Sequence, residues 1–269
     1  MRRPAWPRRH GGRGRGWLGT LLALAAVLAA ARGHAAADAD PFASPQWPAL
    51  RAEMLGNAPA VFDPRVKVVG PAFAEDALNV PIAFDASALG EVDRIVVGVD
   101  RNPIRQVLTF TPGRLKPALS FRFKLEQGSP VRVAARTRDG VWHVGGLLVD
   151  AAGGGCTVPG VTRKDGSWSA TLNRVEARRF AALDGGGGRV RIRVMHPMDT
   201  VLVAGIPAFH FEQLALVDGR REPLGTLELH EPVSENPIFS FDLREPAAQP
   251  LAVTGRDNNG NRIDARVLP

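Results

Sequence analysis

The chain has 269 residues, with 34 basic and 27 acidic side chains, one cysteine and no tyrosine. A lone cysteine excludes an internal disulfide, and the charge excess belongs to the first segment: seven arginines lie within residues 1–37, which hold no acidic residue, leaving 27 basic against 27 acidic beyond it. The remainder is electrically balanced and has no basic cluster with interleaved aromatics, which excludes a nucleic-acid-binding reading.

Residues 1–37 read as an export leader. Arg2-Arg3, Arg8-Arg9, Arg13 and Arg15 precede the apolar run Leu21 to Ala31, which is too short to span a bilayer, and Ala35-Ala36-Ala37 offers a small-x-small cleavage site. Export to the periplasm with cleavage after Ala37 is expected. The twin arginine lacks the residues that usually follow it, which favours the general export route over the folded-protein route. No later segment is apolar enough to span a membrane, so none is expected to do so after cleavage.

Residues 38–65 form an N-terminal segment with a short helix predicted over Trp47 to Leu55. From Val66 the pattern changes to short apolar or alternating runs broken by Pro71, Asn102-Pro103, Pro112-Gly113, Gly128 and Asp139-Gly140. That punctuation predicts a sandwich of short antiparallel strands over 66–156. Phe121, Phe123 and Leu125 share one face by the two-residue period, with Arg122 and Lys124 on the other, and Asp139-Gly140 predicts a hairpin turn. Residues 157–188 lose the rhythm and read as a glycine-rich linker with one short ordered piece at Leu172 to Leu183. A second small sandwich is predicted over 189–269, giving an all-β, two-sandwich chain. Asp100-Arg101-Asn102-Pro103-Ile104 in the first half is answered by Ser234-Glu235-Asn236-Pro237-Ile238 in the second, each before a strand that carries phenylalanine.

Between the halves stands Gly153-Gly154-Gly155-Cys156. Three glycines lose the most entropy on ordering, so a mobile, exposed arm with a reachable thiol is predicted, against the alternative of a cysteine packed as a small hydrophobe. A thiolate is the reactive form, and backbone amides of Gly154, Gly155 and Thr157, or the side chains of Arg163 and Lys164, are candidates to stabilise it.

Val80-Pro81-Ile82, the Asp100 to Pro103 turn and Gly154-Gly155-Cys156 resemble the sulfur-oxidation carrier SoxY. His196-Pro197-Met198, Phe209-His210-Phe211 and Asn236-Pro237 resemble its partner SoxZ. The chain is thus similar to a fused SoxYZ-like carrier of the type associated with quinoprotein dehydrogenases. The resemblance implies two immunoglobulin-like sandwiches, a covalent sulfur carrier at Cys156 on an arm made flexible by Gly153, Gly154 and Gly155, and a partner-domain motif of His196, Pro197, Met198, Asn236 and Pro237. It also implies no cofactor and no catalysis of its own, with periplasmic sulfur-oxidation enzymes of thiosulfate oxidation, or a quinoprotein dehydrogenase system, as partners. Here the cysteine is followed by Thr157-Val158-Pro159 and tethered on both sides, where the family's arm ends freely. A rival reading is a non-covalent accessory module for a periplasmic quinoprotein dehydrogenase, in which Cys156 is incidental.

Other constellations are weak. His143, His196, His210 and His230 have no short ligand spacing and no thiol partners, so no metal site is expected, and His196 is read as shaping a turn before Pro197. Asp199, Glu212 and Glu231 are read as solvated side chains. No nucleophile triad order, phosphate loop or dinucleotide motif occurs.

Overall fold

The computed structural model describes Met1 and residues 39–182, 186–246 and 250–269. The predicted leader lies outside the described residues, apart from Met1. Helix α1 spans Trp47–Leu55, with Pro48 in its first turn, where the missing N–H costs nothing, and Gly56 at its end. The first-half strands follow in order: β1 (Ala60–Phe62), β2 (Lys67–Val69), β3 (Phe73–Ala74), β4 (Val80–Asp85), β5 (Val92–Val99), β6 (Gln106–Thr111), β7 (Leu115–Phe123), β8 (Ser129–Thr137) and β9 (Trp142–Ala151). Two short helices, α2 (Val161–Asp165) and α3 (Trp168–Thr171), precede β10 (Val175–Phe180), β11 (Arg189–Val194), β12 (Phe211–Val217), β13 (Pro223–Leu229), β14 (Ile238–Leu243), β15 (Ala252–Asp257) and β16 (Arg262–Arg266).

The chain is nearly all β, in two sheets. One runs β1-β9-β8-β5-β6-β13-β12-β15-β16, with β3 also on β9, and the other runs β10-β11-β14-β7-β4-β2. Each half places strands in both sheets, so each is a sandwich, and the two meet edge to edge. β6 pairs with β13 at Phe110↔Leu227, and β7 pairs with β14 at Ser120↔Ser240. A single apolar core therefore runs through both halves, with Phe110 of the first 5.9 Å from Phe241 of the second. Asp40 to Pro269 form one compact unit.

The alternation along β7 explains its placement. Leu119, Phe121 and Phe123 are buried and point inward, while Ser120 and Arg122 face out. Outside the ten-stranded sheet, α1 covers a smaller core of Trp47, Leu50, Val96 and Trp142. Arg132, fully buried, ties this layer down by bonding Asp100 at 2.9 and 2.8 Å and Asp40 at 2.9 Å, and it lies 4.6 Å from the Phe42 ring and 4.7 Å from that of Trp47.

The predicted linker is more ordered than its composition implies. Within 157–188 lie α2, α3 and β10, and β10 is an edge strand of the six-stranded sheet, antiparallel to β11. Its only buried side chain is Ala177, too slight an apolar signal for period-two reading to detect among Glu176, Arg178 and Arg179.

Candidate functional site: a buried thiol at the seam

Where β9 ends, the chain turns through Gly153 (φ +107°) and Gly154 (φ +85°) and lies against the strand end that follows β7. The Gly154 N–H donates to Glu126 O at 3.0 Å and the Gly155 N–H to Leu125 O at 3.2 Å. A Cβ on Gly155 would fall 2.3 Å from Ala77 O and 2.5 Å from Leu125 O. The glycines are therefore required for a tight fit and an unusual turn, and the expectation of a free, mobile arm is corrected: in this conformation the arm is docked.

The thiol is docked with it. Cys156 is 0 % exposed, which corrects the prediction of a reachable sulfur. Its N–H donates to Glu126 Oε2 at 2.8 Å, its carbonyl accepts from Thr200 Oγ1 at 2.7 Å, and its Sγ lies 3.6 Å from Lys124 O. Thr157 Oγ1 donates to Glu126 Oε1 at 3.0 Å, so one carboxylate holds two successive residues of the arm. Burial, and then the Glu126 carboxylate, push the Cys156 thiol up to about 12, with Lys124 acting the other way. In this state the sulfur is a protonated, unreactive thiol.

None of the groups proposed from sequence to stabilise a thiolate does so here. The Gly154 and Gly155 amides serve carbonyls, Thr157 bonds Glu126 through its hydroxyl, and Lys164 is exposed. Arg163 bonds Asp199 Oδ2 through Nε at 2.9 Å and stacks over Trp168 at 4.1 Å. Asp199 is itself buried, which corrects its reading as a solvated side chain. Glu231 accepts the Val201 N–H at 2.6 Å, and Glu212 lies 3.6 Å from Arg256.

Lys124 is the cation nearest in role. Although it follows Arg122 by two residues and so shares its outward face, it is only 2 % exposed because the second half covers it. Its Nζ donates to Met198 O and its N–H to Pro232 O at 2.6 Å, and burial pulls its amine below the usual lysine range. Asn102 fixes this wall, donating through Nδ2 to Lys124 O at 2.8 Å and accepting the Glu126 N–H on Oδ1 at 2.9 Å.

The opposite wall is built by the five motif residues of the second half. Asn236, at φ +47°, accepts the His196 N–H on Oδ1 at 3.0 Å and donates its own N–H to His196 O at 2.8 Å. Pro237 O accepts the Val194 N–H at 3.1 Å. His196 Nδ1 accepts the Met198 N–H at 3.1 Å beyond Pro197, so a neutral ring carries its proton on Nε2, 3.6 Å from Asp257 Oδ2. Its centroid is 4.3 Å from that of Phe209 and 4.9 Å from that of Phe211. Burial lowers its pKa to about 4, opposed by Asp257. Met198, at φ +50°, offers its carbonyl to Lys124 and its Sδ to the Phe211 N–H at 3.4 Å.

The structure thus joins the second-half motif to the cysteine wall, through Lys124 to Met198 and Thr200 to Cys156. His143 lies elsewhere, 2.8 Å from Asp63, and among the described residues no group of three or more His, Cys, Asp or Glu is arranged to hold a metal. No helix of the described residues is long and apolar enough to cross a membrane. Sequence reasoning missed Lys124, Glu126 and Thr200. Asn102 was visible as a turn residue, but its bonds across to β7 were not.

Against known proteins, a search of curated proteins finds no match. One solved structure that is similar is that of the sulfur carrier protein SoxY from Chlorobium limicola f thiosulfatophilum, at 19 % identity and a TM-score of 0.36, with 40 % of this chain and 96 % of that one covered. Residues 51–156, from α1 to the cysteine itself, match the family model described as sulfur oxidation protein SoxY.

Proposed function

We propose that this is a periplasmic, non-catalytic carrier, a fused SoxY-like and SoxZ-like chain. It holds sulfur-compound intermediates covalently on Cys156 and presents them to partner enzymes. The observation that carries the reading is that the SoxY match ends on the chain's one cysteine, which sits at the seam against the SoxZ-like motif. An S–S bond from Cys156 to a sulfur anion releases the thiol proton and two electrons, so the loading partner is an oxidising enzyme. The buried, protonated thiol makes this conformation the closed state. Opening breaks the Glu126 bonds to Cys156 and Thr157 and the Thr200 bond, three hydrogen bonds worth on the order of 3 kcal/mol together, which leaves the open form at on the order of 1 % until a partner selects it.

The full burial of the sulfur supports a second reading, in which Cys156 is a core residue and the protein is a non-covalent accessory module for a quinoprotein dehydrogenase. Replacing the native protein by Cys156→Ser in the source cell separates the two. The carrier reading predicts loss of sulfur-compound oxidation with the protein still folded and abundant. Full oxidation by cells carrying Cys156→Ser would move the assignment to the accessory module.

A further inference from the structure

The outer face of the six-stranded sheet carries a row of directly paired residues, Val69, Ala83, Ser120, Ser240, Arg191 and Arg178, one per strand from β2 to β10. The three small residues in the middle leave a trough roughly 10 Å across, at the usual strand spacing. It forms part of an open groove of about 570 Å³ whose lining includes Arg122, Arg189 and Arg191 and no acidic side chain. At its ends stand two exposed apolar side chains, Val69 at 67 % and Phe180 at 49 % exposure.

The arginines are not placed for stability. Arg178 and Arg191 stand directly opposite each other on adjacent strands, an arrangement of like charges that opposes folding. Arg189 is neutralised by Asp242 at 2.7 Å, but Arg122, Arg178 and Arg191 have no ion-pair partner among the described residues. A surface that keeps uncompensated cations beside a small-residue trough and exposed apolar groups is complementary to something acidic that also has apolar side chains to bury. A free inorganic anion would need only the arginines.

We infer that this face docks a protein partner through an acidic, partly apolar segment, whose carboxylates meet Arg122, Arg178 and Arg191 and whose apolar side chains enter the trough against Val69 and Phe180. Cys156 is not among the residues that line the groove, and the surface acts whether or not Cys156 carries cargo.

The test uses the purified protein and its Cys156→Ser form, titrated against short fluorescein-labelled peptides and read by anisotropy. One peptide alternates glutamate with leucine, one alternates glutamate with serine, and one alternates lysine with leucine. The glutamate–leucine probe is expected to bind both proteins alike, to weaken as salt rises, and to lose about tenfold or more in affinity to R178E/R191E. R178E alone, which relieves the like-charge pair, is expected to melt no lower than the parent and to weaken binding in the same direction, so lost binding cannot be laid to misfolding. Failure of the glutamate–leucine probe to bind, or equal binding by R178E/R191E, overturns the proposal. Equally tight binding of the glutamate–serine probe would reduce the face to a simple anion site, and a dimer in sedimentation that R178E/R191E dissolves would make the occupant a second copy; either result overturns it. Binding unchanged in the Cys156→Ser protein keeps this inference distinct from the carrier reading.

Discussion

Asn102 and Asn236 each stand before a proline, each in one half of the chain, and each pins one wall of the thiol chamber. Asn102 spends both ends of its amide across to β7's extension, on Lys124 O and the Glu126 N–H. Asn236 spends one side-chain oxygen on His196, adds its own backbone N–H to the same residue, and occupies the left-handed region that asparagine tolerates better than most residues. The first wall is charged, with Lys124 and Glu126 around the sulfur. The second is neutral, with His196 held unprotonated among phenylalanines. The contrast locates the control of the thiol in the first half and the rigid backing in the second.

The largest effect that can break this comparison concerns the sulfur itself. A thiol pushed up to about 12 is inert while docked, so alkylation runs through the open form, and iodoacetamide should modify Cys156 in the native protein about a hundredfold more slowly than in denaturant. Glu126→Ala frees the arm from two of its bonds and is expected to raise the native rate about tenfold or more, whereas Asn236→Ala on the other wall should change it little. Equal acceleration by both would erase the division of labour.

Next comes pH. The folded protein keeps His196 neutral down to about 4, while the unfolded chain takes a proton near 6.5. Between those values the unfolded state binds more protons, so stability is complete above about 6.5 and is lost as pH falls toward 4, by on the order of 3 kcal/mol. His210 and His230, also lowered by burial, add in the same direction. His196→Asn, whose side-chain oxygen can take the place of Nδ1 for the Met198 N–H, should flatten the slope of melting temperature against pH over that window. An unchanged slope would remove His196 from the account.

Smaller effects compare the two asparagines directly. Asn102→Ala leaves the Glu126 N–H and Lys124 O short of partners in a buried place and should cost about 2–3 kcal/mol in chemical denaturation. Asn236→Ala loses one bond and keeps an unfavourable backbone, about 1–2 kcal/mol, and Asn236→Gly should recover part of that because glycine has no penalty at φ +47°. A glycine variant less stable than the alanine variant would contradict the backbone argument.

Much of this was legible in the sequence. The helix over Trp47 to Leu55, the Asp139-Gly140 turn between β8 and β9, and the alternation of Phe121 and Phe123 come from local periodicity, which local structure obeys. The likeness of the two Asn-Pro turns was visible and has a structural meaning. What was not legible depends on the other half of the chain. Lys124 reads as a solvent-facing partner of Arg122 until Met198 and Pro232 cover it, and the triglycine reads as slack until Ala77 and Leu125 are found against it. Sharing of both sheets by the two halves is equally invisible, since no local pattern in β6 or β7 specifies β13 or β14 as its neighbour.

The central claim is that Cys156, closed in this conformation, opens to take a sulfur group. The most direct measurement is intact-mass spectrometry, without reductant, of protein from its native periplasm, with peptide mapping of any added mass. The account predicts a mass increment on Cys156 that disappears on reduction and whose size identifies the sulfur group. A thiol that is unmodified as isolated, and stays unmodified after incubation with thiosulfate, sulfide and the oxidising partners, would contradict it.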